Sequence, residues 1–183
     1  KITEILKQKG YFFSKVDVIV ESLSDNKVNL IYNVEIGDKA KIKKISFIGD
    51  KIFKDRKLRS IIVSEEYKFW KFISGKKYLN QNLISLDERL LKNFYLNKGF
   101  YNVKINSSFA RLINDTEFEL IYNIIPNKRY SFNQISLNLP LDFEQKNFDD
   151  LNNFFGKLKG KQYSLFTIEK ILDEIDKIIL DKE

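Results

Sequence analysis

The chain is predicted to be an α+β protein built of tandem β-α-α-β-β modules, each a small three-stranded mixed sheet covered on one face by two helices. Three observations predict it. The strand-like stretch LIYNV (Leu30–Val34) returns ninety positions later as LIYNI (Leu120–Ile124), and self-similarity at a fixed period marks repeat architecture. A Lys-Gly-aromatic-aromatic step stands upstream of both copies, at Lys9–Phe12 and Lys98–Tyr101. Between these marks the apolar period changes from the 3.6 of a helix to the 2 of a strand.

The elements follow in order. Ile2, Ile5 and Leu6 belong to the end of a helix, and residues 16–36 form its hairpin, turning at Ser24-Asp25-Asn26. The second copy is whole. Ile42, Ile45 and Phe47 punctuate a strand that stops at Gly49-Asp50, a turn signal. Leu58, Ile61 and Ile62 are spaced as a first helix, with Asp55 as its N-cap. Residues 64–78 break the pattern and read as a long loop. Leu83, Leu86, Leu90, Leu91 and Phe94 restore it as a second helix, capped by Asn80 or Asn82. Gly99 suits the left-handed residue that ends many helices, because it has no Cβ to clash. Val103, Ile105, Ser107 and Phe109 then alternate with polar neighbours, Asn114-Asp115 turns the chain, and Phe118, Leu120, Tyr122 and Ile124 alternate again. Period two with one apolar face is a half-buried antiparallel hairpin. Tyr122, and Tyr32 in the earlier copy, are expected in the core.

A third copy starts and does not finish. Residues 77–99 align with residues 162–183, Tyr78 over Tyr163. Residues 132–137 are its expected first strand, and Phe148, Leu151, Phe154 and Phe155 mark its first helix. Ile168, Ile171, Leu172, Ile175, Ile178 and Ile179 mark its second. Without a hairpin, this helix pair is expected to show apolar surface. The expected domains are thus 1–38, the end of one module; 39–127, a complete module; and 128–183, the front of a third. The linkers at 35–41 and 125–130 are short, which predicts a semi-rigid rod of modules. Opening inside a helix without a leading Met, the chain reads as a piece of a longer protein.

Composition narrows the chemistry. Cysteine and histidine are both absent, which disfavours disulfides, thiol chemistry and a transition-metal site. It also removes the commonest general base and the Ser-His-Asp triad. The seven glycines are scattered singly, so no phosphate-cradling loop exists. The expectation is therefore no enzyme, no cofactor and no metal. The net charge of +7 is carried mostly by lysine. It suits a solvated surface, an acidic partner or anionic lipid headgroups.

The ordered signature Ile42, Ile45, Phe47, Gly49, then Tyr95, Gly99, Phe100 resembles the POTRA (polypeptide-transport-associated) repeats, which precede the β-barrel of outer-membrane assembly proteins. The aromatic loop with Tyr67, Phe69, Trp70 and Phe72, followed by Gly75 and Tyr78, is similar to that of a third such repeat. On that likeness the chain holds the end of a second repeat, a whole third and the start of a fourth. The resemblance implies a scaffold on the periplasmic face of the outer membrane of a Gram-negative bacterium, in a parent chain held by a C-terminal β-barrel. Its implied partners are accessory lipoproteins of the barrel assembly machine and unfolded outer-membrane proteins. It also implies that the first hairpin strand lies at a sheet edge, open to an added strand. Here that strand is Asn102, Val103, Lys104, Ile105, Asn106, Ser107, Ser108 and Phe109, with residues 16–21 as its counterpart in the preceding copy. Lys104 and Lys15 in these runs also suit gatekeepers against aggregation. The loop residues Tyr67, Phe69, Trp70 and Phe72 are a second candidate contact, although a lone Trp in a small domain also fits a satellite core.

The rival expectation is an RNA-binding α/β module, since KGYFF and KGFYN approach the pattern whose strand aromatics stack on bases. That pattern wants Gly or Ala where Phe12 and Tyr101 stand, and an aromatic where Asn102 stands. Arginine, favoured for bidentate phosphate contacts, is scarce, and the β-α-β-β-α-β order of that module is not the order here. No nucleic-acid partner is expected.

Overall fold

The computed structural model describes residues 1–70, 74–111, 116–140 and 143–180, with the backbone alone at 108–111. Its elements are α1 (Ile2–Gln8), β1 (Lys15–Ser22), β2 (Val28–Glu35), β3 (Lys41–Gly49), α2 (Asp55–Arg59), α3 (Gln81–Leu96), β4 (Lys104–Arg111), β5 (Glu117–Ile125), α4 (Asp149–Leu158) and α5 (Leu165–Leu180). The mixed α+β class is as the sequence predicts. The chain divides into two compact units, residues 1–91 with 105–124, and residues 92–104 with 125–183.

In the first unit, β1 and β2 form an eight-pair antiparallel hairpin from Lys15↔Glu35 to Ser22↔Val28. Its turn places both Asp25 and Asn26 at positive φ, 64° and 57°, a conformation that these two residue types tolerate best after glycine. One expectation fails here. Tyr32 is 54% exposed and Leu30 56%, so LIYNV is not a core strand. A two-stranded ribbon buries a face only against further elements, and among the described residues none covers it.

The second copy of that strand is buried because it is central. The three-stranded sheet runs β3-β5-β4, with β3 parallel to β5. The short link from β4 to β5 can only return the chain antiparallel, giving a mixed sheet; the turn expected at Asn114-Asp115 lies outside the described residues. Ile42, Ile45, Phe47, Phe118, Leu120, Tyr122 and Ile124 form the buried face. Phe47 stacks on Tyr122 at 5.7 Å.

The helices that cover the sheet carry two corrections. Asp55 does not cap α2: Lys54 holds that position without a side-chain bond, and Asp55 instead pairs with Lys51 at 2.5 Å. On α3, Asn80 caps as expected, its Oδ1 accepting from the N–H groups of Asn82 and Leu83 at 2.9 and 3.3 Å. The buried stripe of α3, however, is Ile84, Asp87, Leu91 and Tyr95. The expected Leu83, Leu86, Leu90 and Phe94 are its half-buried flank. A carboxylate thus sits in the middle of the apolar face. Asp87 is fully buried. Its Oδ1 accepts from Val63 N–H at 2.5 Å and its Oδ2 from the Tyr122 hydroxyl at 2.7 Å, while Ser64 N–H reaches both oxygens at 3.2–3.3 Å. A buried charge is tolerated when its lone pairs are filled in this way. Burial, and then the Asp87 carboxylate, push the Tyr122 hydroxyl far above its ordinary value, so it remains a donor.

In the second unit, Phe148, Leu151, Phe155, Leu158 and Ile171 form a core between α4 and α5. Phe132, Ile135, Leu137 and Leu139 pack onto it partly buried. The expected strand at 132–137 is not one: beyond a single bridge between Ser131 and Gln162, these residues form no ladder. A strand needs partners along its whole row of N–H and C=O groups; here Phe132 is met on both, its N–H donating to the Lys161 C=O at 2.9 Å and its C=O accepting from Gly160 N–H at 2.8 Å, and no ladder continues from it among the described residues. Phe166, Leu172 and Leu180 stay exposed, the apolar surface expected of this helix pair.

The same joint is built once in each unit. In the first, the Gly10 C=O accepts from Ala40 N–H at 2.9 Å, and the Ala40 C=O accepts from Leu79 N–H at 2.8 Å. Lys39 lies 5.2 Å over the Tyr11 ring. In the second, the Gly99 C=O accepts from Tyr130 N–H at 2.7 Å, and the Tyr130 C=O from Tyr163 N–H at 3.0 Å. Arg129 lies 4.9 Å over Phe100. The helix-exit glycine, the linker and the approach to the next long helix are therefore fastened through main-chain atoms, with a cation over an aromatic ring beside them.

Candidate functional site

A three-stranded sheet has two edges, and each presents a row of backbone donors and acceptors. The two edges of this sheet are treated differently. The outer side of β3 is closed. The Ile42 C=O accepts from Tyr67 N–H at 2.6 Å. Ile45 is bound twice: its N–H donates to Glu66 Oε1 at 3.0 Å and its C=O accepts from Arg59 at 2.8 Å. The Phe47 C=O accepts from Lys51 Nζ at 2.8 Å. The backbone groups of Ile42, Ile45 and Phe47 all point away from β5, while their side chains stay in the core, because the register shifts between Ile42 and Lys44; a bulge of one residue restores the parity. Arg59 and Glu66 also pair with each other. Glu66 and Tyr67 therefore cover the β3 edge. Glu65 N–H donates to the Lys76 C=O at 3.0 Å, which closes the loop on itself.

Beyond β4, no strand is paired among the described residues. That leaves β4 as the open edge, where the sequence places the candidate site. The strand starts at Lys104, two residues later than the predicted run. Asn102 and Val103 lie before it. Val103 is buried, with its N–H donating to the Phe100 C=O at 3.2 Å, so it is committed internally. Asn102 is also engaged: its Nδ2 donates to the Tyr130 hydroxyl and its C=O accepts from Asn127, at 2.8 and 2.7 Å. Lys104 and Asn106 are exposed, and Ile105 and Ser107 half-buried. Ser108 and Phe109 are in the strand, with nothing described of their side chains.

The aromatic loop splits into two parts. Tyr67 is half-buried, tilted against Tyr78 at 6.3 Å, with the Nζ of buried Lys77 5.1 Å from its ring. Phe69 and Trp70 are not core: they are 72% and 59% exposed and meet edge to face at 4.7 Å. Phe72 lies outside the described residues. Trp70→Ala is expected to lower the melting temperature by less than about 2 °C, as surface truncations do; calorimetry checks it, and a fall of several degrees would return Trp70 to the core.

Sequence reasoning missed the residues that close β3, namely Lys51, Arg59 and Glu66. The signal was faint. The three are scattered around a strand edge and share no spacing.

Residues 40–127 match the model of the POTRA family, described as the surface antigen variable number repeat. Among curated relatives, the outer membrane protein assembly factor BamA of Neisseria meningitidis serogroup B is 23% identical over 85% of this chain and 19% of its own length. BamA of Neorickettsia risticii is 23% identical over 80% of this chain and 19% of its own, and BamA of Buchnera aphidicola 25% over 70% and 21%. The chain spans about a fifth of the length of these relatives. Its fold is similar to the crystal structure of POTRA domains 3–5 of Haemophilus influenzae BamA, with a TM-score of 0.63, 14% identity, and coverage of 96% of this chain and 66% of that one.

Proposed function

With residues 40–127 a BamA-like POTRA domain, we propose that the chain is a non-catalytic periplasmic scaffold of an outer-membrane β-barrel assembly protein, which receives extended polypeptide on the open edge of β4. The candidate occupants are unfolded outer-membrane proteins and accessory lipoproteins of the assembly machine, and the parent chain ends in a barrel. The observation that carries the reading is the asymmetry between the edges: β3 is closed by Lys51, Arg59, Glu66 and Tyr67, while among the described residues no strand pairs on the outer side of β4. Edge addition works through main-chain bonds, so it demands little of the client's sequence. That suits a receptor for many β-rich clients.

Proline scanning of β4 tests this. In an antiparallel pair, neighbouring residues alternate between bonding the partner strand and facing away. Of Asn106→Pro and Ser107→Pro, one therefore breaks the ladder to β5 and the other removes an outward N–H only. The variant that keeps its circular dichroism and melting temperature is expected to lose at least about ten-fold in affinity for a labelled β-strand peptide, the order expected from one or two lost main-chain bonds. Unchanged binding in that variant would overturn the reading.

A further inference from the structure

The foot of β4 opens into a cleft of about 640 Å³. Its walls come from three places in the sequence. α3 contributes Lys92, the helix exit and strand start contribute Tyr101, Asn102 and Lys104, and the turn after β5 contributes Lys128 and Tyr130. That turn is set by Asn127 at φ 59°, whose Nδ2 bonds the Asn102 C=O at 2.7 Å. Asn102 in turn bonds the Tyr130 hydroxyl at 2.8 Å. The segments at 101–102 and 127–130 are thus pinned together, and the Tyr101 and Tyr130 rings meet at 5.8 Å. Three exposed ammonium groups line this cleft and no acidic side chain does. Like charges on a concave wall focus potential and concentrate counter-charge.

We propose that this cleft binds the carboxylates of an acidic polypeptide segment. The inference rests on the β4 edge reading, because Lys104 belongs both to the cleft and to the first position of β4. Lysine supplies a point charge on a flexible stem and suits carboxylates arriving on a mobile chain; the cleft holds no arginine for the bidentate fork that phosphate recognition favours. The tyrosines offer an aromatic wall for the aliphatic part of Asp and Glu. An accessory partner or client that docks here therefore carries two or three acidic residues beside the stretch that pairs with β4.

Fluorescence anisotropy decides the matter with three probes on the intact 183-residue chain: a labelled Val/Thr strand peptide ending in three Asp, its twin ending in three Asn, and oligo-uridine. The Asp peptide is expected to bind about ten-fold more tightly than the Asn twin at low salt, with the gap closing as salt screens it. Joint replacement of Lys92 and Lys128 by Gln, both outside β4, is expected to close most of the gap and leave the Asn twin's affinity unchanged. Should the double variant lose its circular dichroism signal, Lys92→Gln and Lys128→Gln alone are each expected to narrow the gap. Equal binding of the two peptides would overturn the cleft and leave the edge intact. A preference that survives loss of the lysines, or oligo-uridine binding more tightly than the Asp peptide, would overturn it as well. Binding of neither peptide would overturn both readings.

Discussion

Asp87→Ala is expected to destabilise the first unit by about 3–5 kcal/mol, since each buried donor left unpaired costs roughly 1–3 kcal/mol. The substitution orphans three donors on two segments: Val63 N–H, Ser64 N–H and the Tyr122 hydroxyl. Asp87→Asn is expected to cost only about 1–2 kcal/mol, because its carbonyl can face the two backbone donors and its amide can donate to Tyr122, whose hydroxyl also accepts. Tyr122→Phe removes one charge-assisted bond, worth about 1.5–3 kcal/mol. Urea denaturation checks the order. Equal losses in the Ala and Asn variants would mean that Asp87 matters as volume and not as an acceptor.

Gly49→Ala is expected to cost about 2–4 kcal/mol, combining a left-handed backbone with a clash. Gly49 ends β3 at φ 87°, and a Cβ there would lie 2.4 Å from the Ile124 carbonyl oxygen and 2.5 Å from Asn123 Oδ1. The obstacle is the backbone of the central strand, which cannot rotate aside as a side chain can. β5 must shift, or β3 must end earlier. Thermal unfolding measures the loss; a change below about 0.5 kcal/mol, the scale of an ordinary surface substitution, would show that the turn has slack.

What the sequence made legible was what repeats or obeys a period. The hairpin of residues 15–35, the cap at Asn80, α4, α5 and the order of elements in the complete copy all rest on local rules. What stayed hidden depends on partners distant in sequence. Asp87 is absent from the predicted stripe of α3, and only Tyr122 and the Val63–Ser64 turn, brought in by folding, make it a core residue. Of that predicted stripe Leu91 is buried, and the rest is its flank. Residues 132–137 alternate well enough to be a strand and are not one, because pattern supplies a face but not a ladder. Tyr32 and Tyr122 stand in nearly identical pentapeptides, yet one is 54% exposed and the other fully buried, since burial belongs to the sheet around a strand. At the candidate site, the strand was legible in its alternation, and its edge position followed from the family resemblance. The closure of the opposite edge was not, because Lys51, Arg59 and Glu66 act on backbone atoms that leave no mark in composition.

The two glycine joints bear on how such an array arises. Each is fastened by carbonyls and amides, groups that every residue carries, with one glycine, one cation and one ring as the specific requirements. Gly10 and Gly99 each meet the linker cation, Lys39 or Arg129; their other neighbours differ, Tyr78 and Leu79 in one case and Gln162 in the other, and the wiring is the same. A joint written in the main chain is kept when a segment is duplicated, so copies can diverge in their side chains without losing it.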